Sequence, residues 1–300
     1  MRVAILLATY QGADFLSAQL DSFVAQDHRN WTLIASDDAS GDATSQILQN
    51  FASKYSASVT TGPRSGFAAN FLQLLGQTPH ECDAVAFSDQ DDVWSPQKLS
   101  RATAALTRHH TTPALYCSHK VICDANLQNR HCPPIPKRPL SFENALVQNV
   151  ASGNTIVLNR AAIDVLRPLI PLIQSVPFHD WWVYQMMTGM GHPVIFDRNH
   201  GLLYRQHANN KIGAGRGLAN RMTRMYNVLR GHHRDAYHAQ LGAVYACRGA
   251  LSVPHQRILA QFMTHERGWR RARIARSLGL YRQSKLGTAS LYTALALGVL

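Results

Sequence analysis

Residues 83–94 read Asp83-Ala84-Val85-Ala86-Phe87-Ser88-Asp89-Gln90-Asp91-Asp92-Val93-Trp94. A strand candidate, Asp83–Ser88 with an apolar centre at Ala84–Phe87, stops at three carboxylates packed into four residues. Carboxylates this close repel one another unless a cation or hydrogen-bond donors compensate. Set just after a buried strand, they form a hard-oxygen group suited to Mg²⁺ or Mn²⁺, an ion that keeps waters and takes further ligands from substrate phosphates. The plainer alternative is a solvated acidic turn that caps the next helix, with Pro96 at that helix's first position. The surrounding chain decides between them.

Working outward, the first 110 residues alternate strand and helix. Val3–Ala8 is apolar enough for a buried strand, and Asp14 can cap a helix whose apolar face is Phe15, Leu16, Leu20 and Phe23. Trp31–Ser36 is a second strand. It runs into the polar turn Asp37-Asp38-Ala39-Ser40-Gly41-Asp42 and a helix bearing Ile47, Leu48 and Phe51. Ala57–Thr61 is a third strand and Gly66–Leu75 a helix with Phe67, Phe71 and Leu74 or Leu75 on one side. Such alternation predicts an α/β fold, a mainly parallel sheet flanked by helices. In open α/β sheets ligands bind beyond the carboxyl ends of the strands, where Thr9–Gly12, Asp37–Asp38 and Asp89–Asp92 all fall.

Further on, His131–Pro139 is proline-rich and predicts a loop. Thr155–Leu158, Val194–Asp197 and Leu202–Tyr204 are strand candidates, and Ile163–Leu172 is a short helix interrupted by Pro168 and Pro171. From Arg216 the chain reads as helical and basic. Between Arg267 and Leu300 there is no Asp or Glu; arginines come first, then the apolar Leu286–Leu300. That order suits a basic amphipathic segment lying on an anionic membrane face.

Bulk composition narrows the classes. The chain has 300 residues, 46% hydrophobic and 16% charged, which excludes a wholly disordered protein. No run reaches the roughly 18–20 uninterrupted apolar residues of a spanning helix. Met1–Tyr10 is too short an apolar run for a signal peptide. The five cysteines are irregularly spaced with no C-x-x-C, so neither a structural zinc site nor a disulfide framework is expected, and a reducing cytosol is the predicted home. Thirty Lys and Arg against eighteen Asp and Glu leave +12, a surplus that attracts phosphorylated substrates, anionic lipid or nucleic acid. The histidine pairs His109-His110 and His232-His233 read as surface residues, because neighbours on a regular helix do not converge on one ion. Cys117 and Cys123 read as small core residues.

Ala8-Thr9-Tyr10-Gln11-Gly12, Ser36–Asp42, Gly66-Phe67-Ala68-Ala69-Asn70-Phe71 and Phe87–Leu99 occur in that order. Together they resemble the nucleotide-sugar half of family 2 inverting glycosyltransferases, which have the GT-A fold, and above all the bacterial rhamnosyltransferase-like branch. The likeness covers residues 1–110 well and 150–213 more loosely. It implies a GT-A domain over 1–213, with a nucleotide-sugar half (1–110) and an acceptor half (111–213), followed by a basic helical region over 214–300.

The resemblance also implies roles. Thr9 and Tyr10 would sit by the nucleoside, Asp38 would accept the N3–H of uracil or thymine, and Gly66 and Asn70 would lie against base and ribose. Asp91 would hold Mg²⁺ or Mn²⁺ on the donor diphosphate, with Asp89 and Asp92 close by; which of the three touches metal and which ribose stays open. Ala151-Ser152-Gly153-Asn154-Thr155 is similar to the turn beside the donor sugar, which makes Asn154 a donor-binding residue. Phe178-His179-Asp180-Trp181-Trp182 is similar to the acceptor motif, although His179 stands where an acid is commoner. Asp180 would then be the catalytic base, since an acceptor hydroxyl must lose its proton as the new bond forms. One of Trp181 and Trp182 at least reads as core. Tyr204–Asn210 resembles a loop closing over the diphosphate, with Arg205 paired to phosphate oxygens and His207 reaching metal or phosphate.

The implied activity is metal-dependent inverting transfer from a dTDP- or UDP-sugar, dTDP-rhamnose included. The acceptor would be a saccharide or lipid-linked saccharide of cell-surface polysaccharide synthesis, made on the inner face of the cytoplasmic membrane. Two other classes compete. A nucleotidyltransferase also gathers carboxylates and Mg²⁺ around phosphates, but Thr9–Ala13 lacks a glycine-rich phosphate loop. A nucleic-acid-binding protein would use the +12 charge, but no helix-turn-helix, zinc-finger or RNP pattern is present, so no nucleic-acid partner is expected. An inactive glycosyltransferase relative is disfavoured by the joint presence of Asp38, Asp91 and Asp180.

Overall fold

The structure, a computed structural model, describes residues 1–207, 234–264 and 268–299. Expectations for Ala208–Asn210, the 213/214 boundary, Arg216, His232-His233, Arg267 and Leu300 lie outside the described residues. The chain forms two compact units. One comprises residues 1–135, 151–170 and 192–210; the other comprises 136–150, 171–191 and 211–300.

The first unit is built on one eight-stranded sheet in the order β3-β2-β1-β4-β7-β6-β8-β5. Its strands are β1 (Val3–Thr9), β2 (Trp31–Asp37), β3 (Ala57–Thr61), β4 (Ala84–Ser88), β5 (Val93–Trp94), β6 (Leu115–Asp124), β7 (Val157–Asn159) and β8 (Val194–Gln206). The first four run parallel. β7 then enters antiparallel between β4 and β6, so the sheet is mixed beyond that point. Val3 to Leu7 of β1 are completely buried, as expected of a central parallel strand covered on both faces. Helices α1 (Ala13–Val24), α2 (Thr44–Ala52) and α4 (Lys98–Thr107) cover one face, setting Leu16, Leu20, Phe23, Leu48, Leu99 and Leu106 against Val3, Ile5, Leu7 and Leu33. On the other face α3 (Phe67–Gly76) brings Phe71 edge-on to Phe87, with ring centres 5.6 Å apart. Each such side chain contributes roughly 1.5–3 kcal/mol by leaving water.

Four local expectations are corrected. Asp14 lies in the first turn of α1 but does not cap it; the Asp42 carboxylate takes the Ala13 N–H from across the sheet edge at 3.0 Å. Pro96 precedes the helix, because a Ser95–Lys98 turn intervenes and α4 starts at Lys98. Val194–Asp197 and Leu202–Tyr204 are one strand, β8, whose polar middle is a bulge: Asp197 pairs with Ser118 and His200 with His119. In place of a strand beginning at Thr155, a 3₁₀ turn (Gly153–Thr155) leads into β7, and α6 (Arg160–Leu166) follows it.

The described residues of the second unit are mainly helical. They form α5 (Phe142–Ala145), α7 (His179–Gly189), α8 (Arg234–Ala246), α9 (Val253–Phe262), α10 (Gly268–Ser277) and α11 (Lys285–Ala296). Trp182, Val183, Tyr184, Met186 and Met187 of α7 are fully buried.

Candidate active site

The loops that leave β1, β2 and β3 lock onto one another. In-register pairing of β1 with β2 sets Thr9 beside Asp37, and the buried Thr9 hydroxyl donates to Asp37 Oδ1 at 2.8 Å. Asp37 also accepts the N–H and hydroxyl of Ser40. The β2 loop then serves the β1 loop: Gln11 N–H donates to Ser40 Oγ, Gly12 N–H to Thr44 Oγ1 and Ala13 N–H to Asp42. Burial pushes the Asp42 carboxyl upward, but hydrogen bonds from the Thr44 hydroxyl and the N–H groups of Ala13 and Thr44 outweigh it and hold the group below its ordinary range. Each loop carries one non-glycine residue in the left-handed region: Gln11 at φ 51°, Ala39 at 66° and Arg64 at 56°. Such strain, about 1–3 kcal/mol per residue, persists only where surrounding bonds enforce it, and it concentrates at functional sites.

The second loop and the third enclose Asp38. Its carboxylate accepts the N–H of Arg64 at 2.6 Å and of Gly66 at 3.2 Å. Gly66, at φ 88°, opens α3 in a conformation that side chains rarely adopt. Asn70 is buried, with its amide donating to the Ser36 carbonyl at 3.0 Å, and its Oδ1 has no hydrogen-bond partner. Tyr10 is 56% exposed at the end of β1. A cleft of about 430 Å³ opens beside these loops, lined by Asp37, Ser40, Gln49, Thr61 and Arg64 among others.

The acid turn lies at the end of β4. One carboxylate oxygen from each of Asp89, Asp91 and Asp92 falls within 4.8 Å of the others. Asp92 is completely buried. It accepts the Asn154 side-chain amide at 2.6 Å and the Arg205 backbone N–H at 3.2 Å. Burial, reinforced by the charges of Asp91 and Asp89, raises its pKa well above the ordinary value. Asp91 Oδ2 lies 2.9 Å from His207 Nε2, and the His207 ring packs on Phe15 at 4.6 Å. This all-oxygen set of mutually repelling carboxylates, one of them with no access to solvent, fits Mg²⁺ or Mn²⁺.

Three cations stand beside the turn: Arg205, Lys98 and Lys120. Arg205 is buried and braced on main chain: Nε donates to the Asp91 carbonyl at 2.8 Å and Nη1 donates to the Ala125 carbonyl. Two of its five N–H donors therefore serve main chain. Asn154 likewise spends its amide on Asp92. Sequence reading missed Lys98, which is fully buried, donates through Nζ to the Asn154 carbonyl and sits 3.5 Å from the centre of the Trp94 ring. Burial lowers its pKa to about 7, against the opposing pull of Asp92 and Asp89. Also missed were Gln90 and Lys120. Lys120 donates to Ser152 Oγ at 2.8 Å and lies over the Tyr204 ring. A lysine a few residues after the acid turn, in Ser95-Pro96-Gln97-Lys98, was the available signal for Lys98.

In the second unit Asp180 stands in the first turn of α7. Oδ2 accepts the Asn149 amide at 2.9 Å and Oδ1 the Trp181 N–H at 2.7 Å. Trp182 is core, and Trp181 is partly exposed with its indole N–H donating to the Ala145 carbonyl at 2.6 Å. His179 is buried, and burial lowers its pKa to about 4, so it is a neutral ring at physiological pH.

The structure thus gathers Asp89, Asp91, Asp92, Asn154, Arg205 and His207 around one turn, and Asp38, Asn70 and Gly66 around a second. A family model, glycosyl transferase family 2, matches residues 4–166. The dTDP-rhamnosyl transferase RfbG of Shigella flexneri is 27% identical over 217 residues, covering 69% of this chain and 74% of its own. The Escherichia coli UDP-Glc:alpha-D-GlcNAc-diphosphoundecaprenol beta-1,3-glucosyltransferase WfgD is 23% identical over 180 residues, covering 60% and 68%. Among solved structures, S. aureus TarS 1-349 in complex with UDP-GlcNAc aligns with a TM-score of 0.58 at 16% identity, over 93% of this chain and 88% of that one. The mannosyltransferase PcManGT from Pyrobaculum calidifontis, in complex with GDP-Man and Mn²⁺, aligns with a TM-score of 0.54 at 18% identity, over 99% and 85%. At such identities these two likenesses speak for the GT-A fold alone.

Proposed function

The chain belongs to glycosyl transferase family 2 and is a glycosyltransferase, and from that premise we propose inverting transfer of a sugar from a dTDP- or UDP-linked donor to a hydroxyl of a saccharide or lipid-linked acceptor. Cell-surface polysaccharide synthesis is the setting that suits such an acceptor. One observation carries the reading: three carboxylates converge beyond β4, next to His207 and the Arg205 brace, at the sheet edge where the β1 and β2 loops also end. dTDP-rhamnose is the donor to test first, since a relative is named a dTDP-rhamnosyl transferase.

Asp91 and Asp89 hold Mg²⁺ or Mn²⁺ in this reading, with Asp92 behind them. Bound there, the ion supplies positive charge against the donor diphosphate, the leaving group. His207, beside Asp91, donates to a phosphate oxygen or joins the ligands. Arg205 keeps the turn in shape through the Asp91 carbonyl and adds its charge to the field. Asp38 accepts from the pyrimidine N3–H, with Tyr10, Gly66 and Asn70 against base and ribose and Thr9 acting through Asp37. Asp180 takes the acceptor proton as the hydroxyl oxygen attacks C1. The test is a panel of nucleotide-sugars scored for thermal stabilisation with and without Mn²⁺, followed by product analysis. Stabilisation by dTDP- or UDP-sugars that needs Mn²⁺ supports the reading. Stabilisation by NTP with a sugar 1-phosphate would favour the nucleotidyltransferase alternative.

A membrane-facing role for the second unit rests on a separate observation. Trp269 is 82% exposed, Leu286 70% and Leu297 60%. Arg270, Arg273 and Arg276 are exposed on the same helix as Trp269. A Cβ on Gly268 would lie 3.4 Å from the Ala296 carbonyl oxygen, so the start of α10 meets the end of α11, with Trp269 and Leu297 one residue beyond. Apolar tips among arginines fit an anionic bilayer surface. Among the described residues no helix is long and apolar enough to cross a membrane.

A further inference from the structure

His119 of β6 and His200 of β8 are register partners at the bulge, where the pairing skips on either side of them. Bulges re-aim side chains. Beyond β6 the chain doubles back, so that His131 pairs with Ile122 and the next residue, Cys132, arrives with Sγ 3.9 Å from His200 Nε2. The two imidazole rings stand edge to face, 5.2 Å between centres. One ligand atom from each of His119, Cys132 and His200 lies within 4.8 Å of the other two. Of the five cysteines four are buried; Cys132 is exposed, as is His200.

A second observation concerns His119 itself. The ring is 4% exposed, and both nitrogens face backbone carbonyls: Nδ1 is 2.9 Å from the Lys120 oxygen and Nε2 is 2.8 Å from the Pro133 oxygen. A neutral imidazole has one hydrogen to donate. One of the two contacts therefore sets a ring lone pair against a carbonyl oxygen, an unfavourable pairing that is relieved when that nitrogen turns to a metal instead.

We propose that His119, Cys132 and His200 bind a zinc ion. Two imidazoles and a thiolate are the borderline-soft set zinc prefers, and they suit Mg²⁺ or Mn²⁺ poorly. On binding, the Cys132 thiol releases its proton to solvent and His119 gives up one carbonyl. Tetrahedral ligands about a zinc ion stand roughly 3.5 Å apart, so Cys132, on its exposed loop, closes by about 1 Å. Water fills the open fourth position. The same loop carries Ala125, whose carbonyl holds Arg205, so zinc would fasten the segment that supports the acid turn.

The full chain, reduced and freed of metal, is titrated with Co²⁺ and then Zn²⁺ in excess Mg²⁺, which fills the carboxylate site. The expected result is a thiolate-to-cobalt charge-transfer band that zinc abolishes, with zinc retained on desalting and a raised melting temperature. Cys132→Ser removes the band and the retained zinc, and His200→Ala removes the retained zinc. Asp91→Ala leaves both. Absence of the band in the unmodified protein, or zinc retention unchanged by Cys132→Ser and His200→Ala, overturns the site.

Discussion

The side chain of Gln90 holds both backbone polar groups of Tyr10: Oε1 accepts the Tyr10 N–H at 2.8 Å, and Nε2 donates to the Tyr10 carbonyl at 2.9 Å. A residue that reads as a spacer within the acid cluster thereby ties the end of β4 to the end of β1, as a short length of sheet ladder would. Gly12 makes room for it, because a Cβ there would lie 2.4 Å from Gln90 Oε1.

Gln90→Ala is expected to destabilise the protein by about 1–3 kcal/mol, the net worth of two hydrogen bonds, and to raise KM for the donor more than it lowers kcat. Gly12→Ala alone should be worse than Gly12→Ala combined with Gln90→Ala. Denaturant melts of the four proteins give the coupling; purely additive losses would remove the clasp from the account.

Asp91→Ala and Asp180→Asn should each abolish transfer while leaving circular dichroism unchanged. Only the first should also abolish Mn²⁺-dependent stabilisation by the nucleotide-sugar. Near-normal activity in both variants defeats the role assignment.

Asp92 gives the metal-free protein a pH signature. Its folded-state pKa is raised by burial and by Asp91 and Asp89, so the folded chain keeps a proton that the unfolded chain releases. Stability therefore falls as pH rises from the ordinary carboxylate value, about 3.9, through the raised one. In thermal melts without metal, Asp92→Asn should flatten that fall and match or exceed the unmodified protein at pH 8. It should also respond less to Mn²⁺.

His179 acts in the opposite sense. Its folded pKa, lowered by burial to about 4, means the unfolded chain takes up the proton first on acidification. Its contribution is present above about pH 6.5 and lost as pH falls to about 4. The full loss is roughly 3 kcal/mol. The difference curve between the unmodified protein and His179→Gln, which isolates this group from Asp92, should slope across that window and be level above it.

Trp269→Ala with Leu297→Ser should cut sedimentation with phosphatidylglycerol vesicles several-fold and leave transfer to a soluble acceptor intact. Raising salt should weaken binding of the unmodified protein. Equal sedimentation with neutral and anionic vesicles would refute an electrostatic contribution.

The chain announces its strands and acid turn because those features are contiguous: Val3–Thr9 and Ala84–Ser88 are short buried runs, and Asp89, Asp91 and Asp92 are adjacent in sequence. Side-chain errands across the sheet edge leave no such trace. Asp14 has the right position for a cap, yet Asp42 does the capping. The bonds of Arg205 to the Asp91 and Ala125 carbonyls join positions far apart in sequence. Lys98 resembles an exposed helix residue and is buried. The bulge at residues 198–199 breaks the apolar pattern of β8 into two apparent strands. Zinc is unreadable for the same reason, since positions 119, 132 and 200 become neighbours only through strand pairing.

The interlock of the first two loops limits how this enzyme can be re-engineered. Ser40, Asp42 and Thr44 complete the backbone of Gln11, Gly12 and Ala13, so a chimera that imports residues 9–13 from another transferase while keeping 37–44 would leave three donors facing mismatched partners. The two stretches form a single cassette, and any exchange of one must carry the other with it.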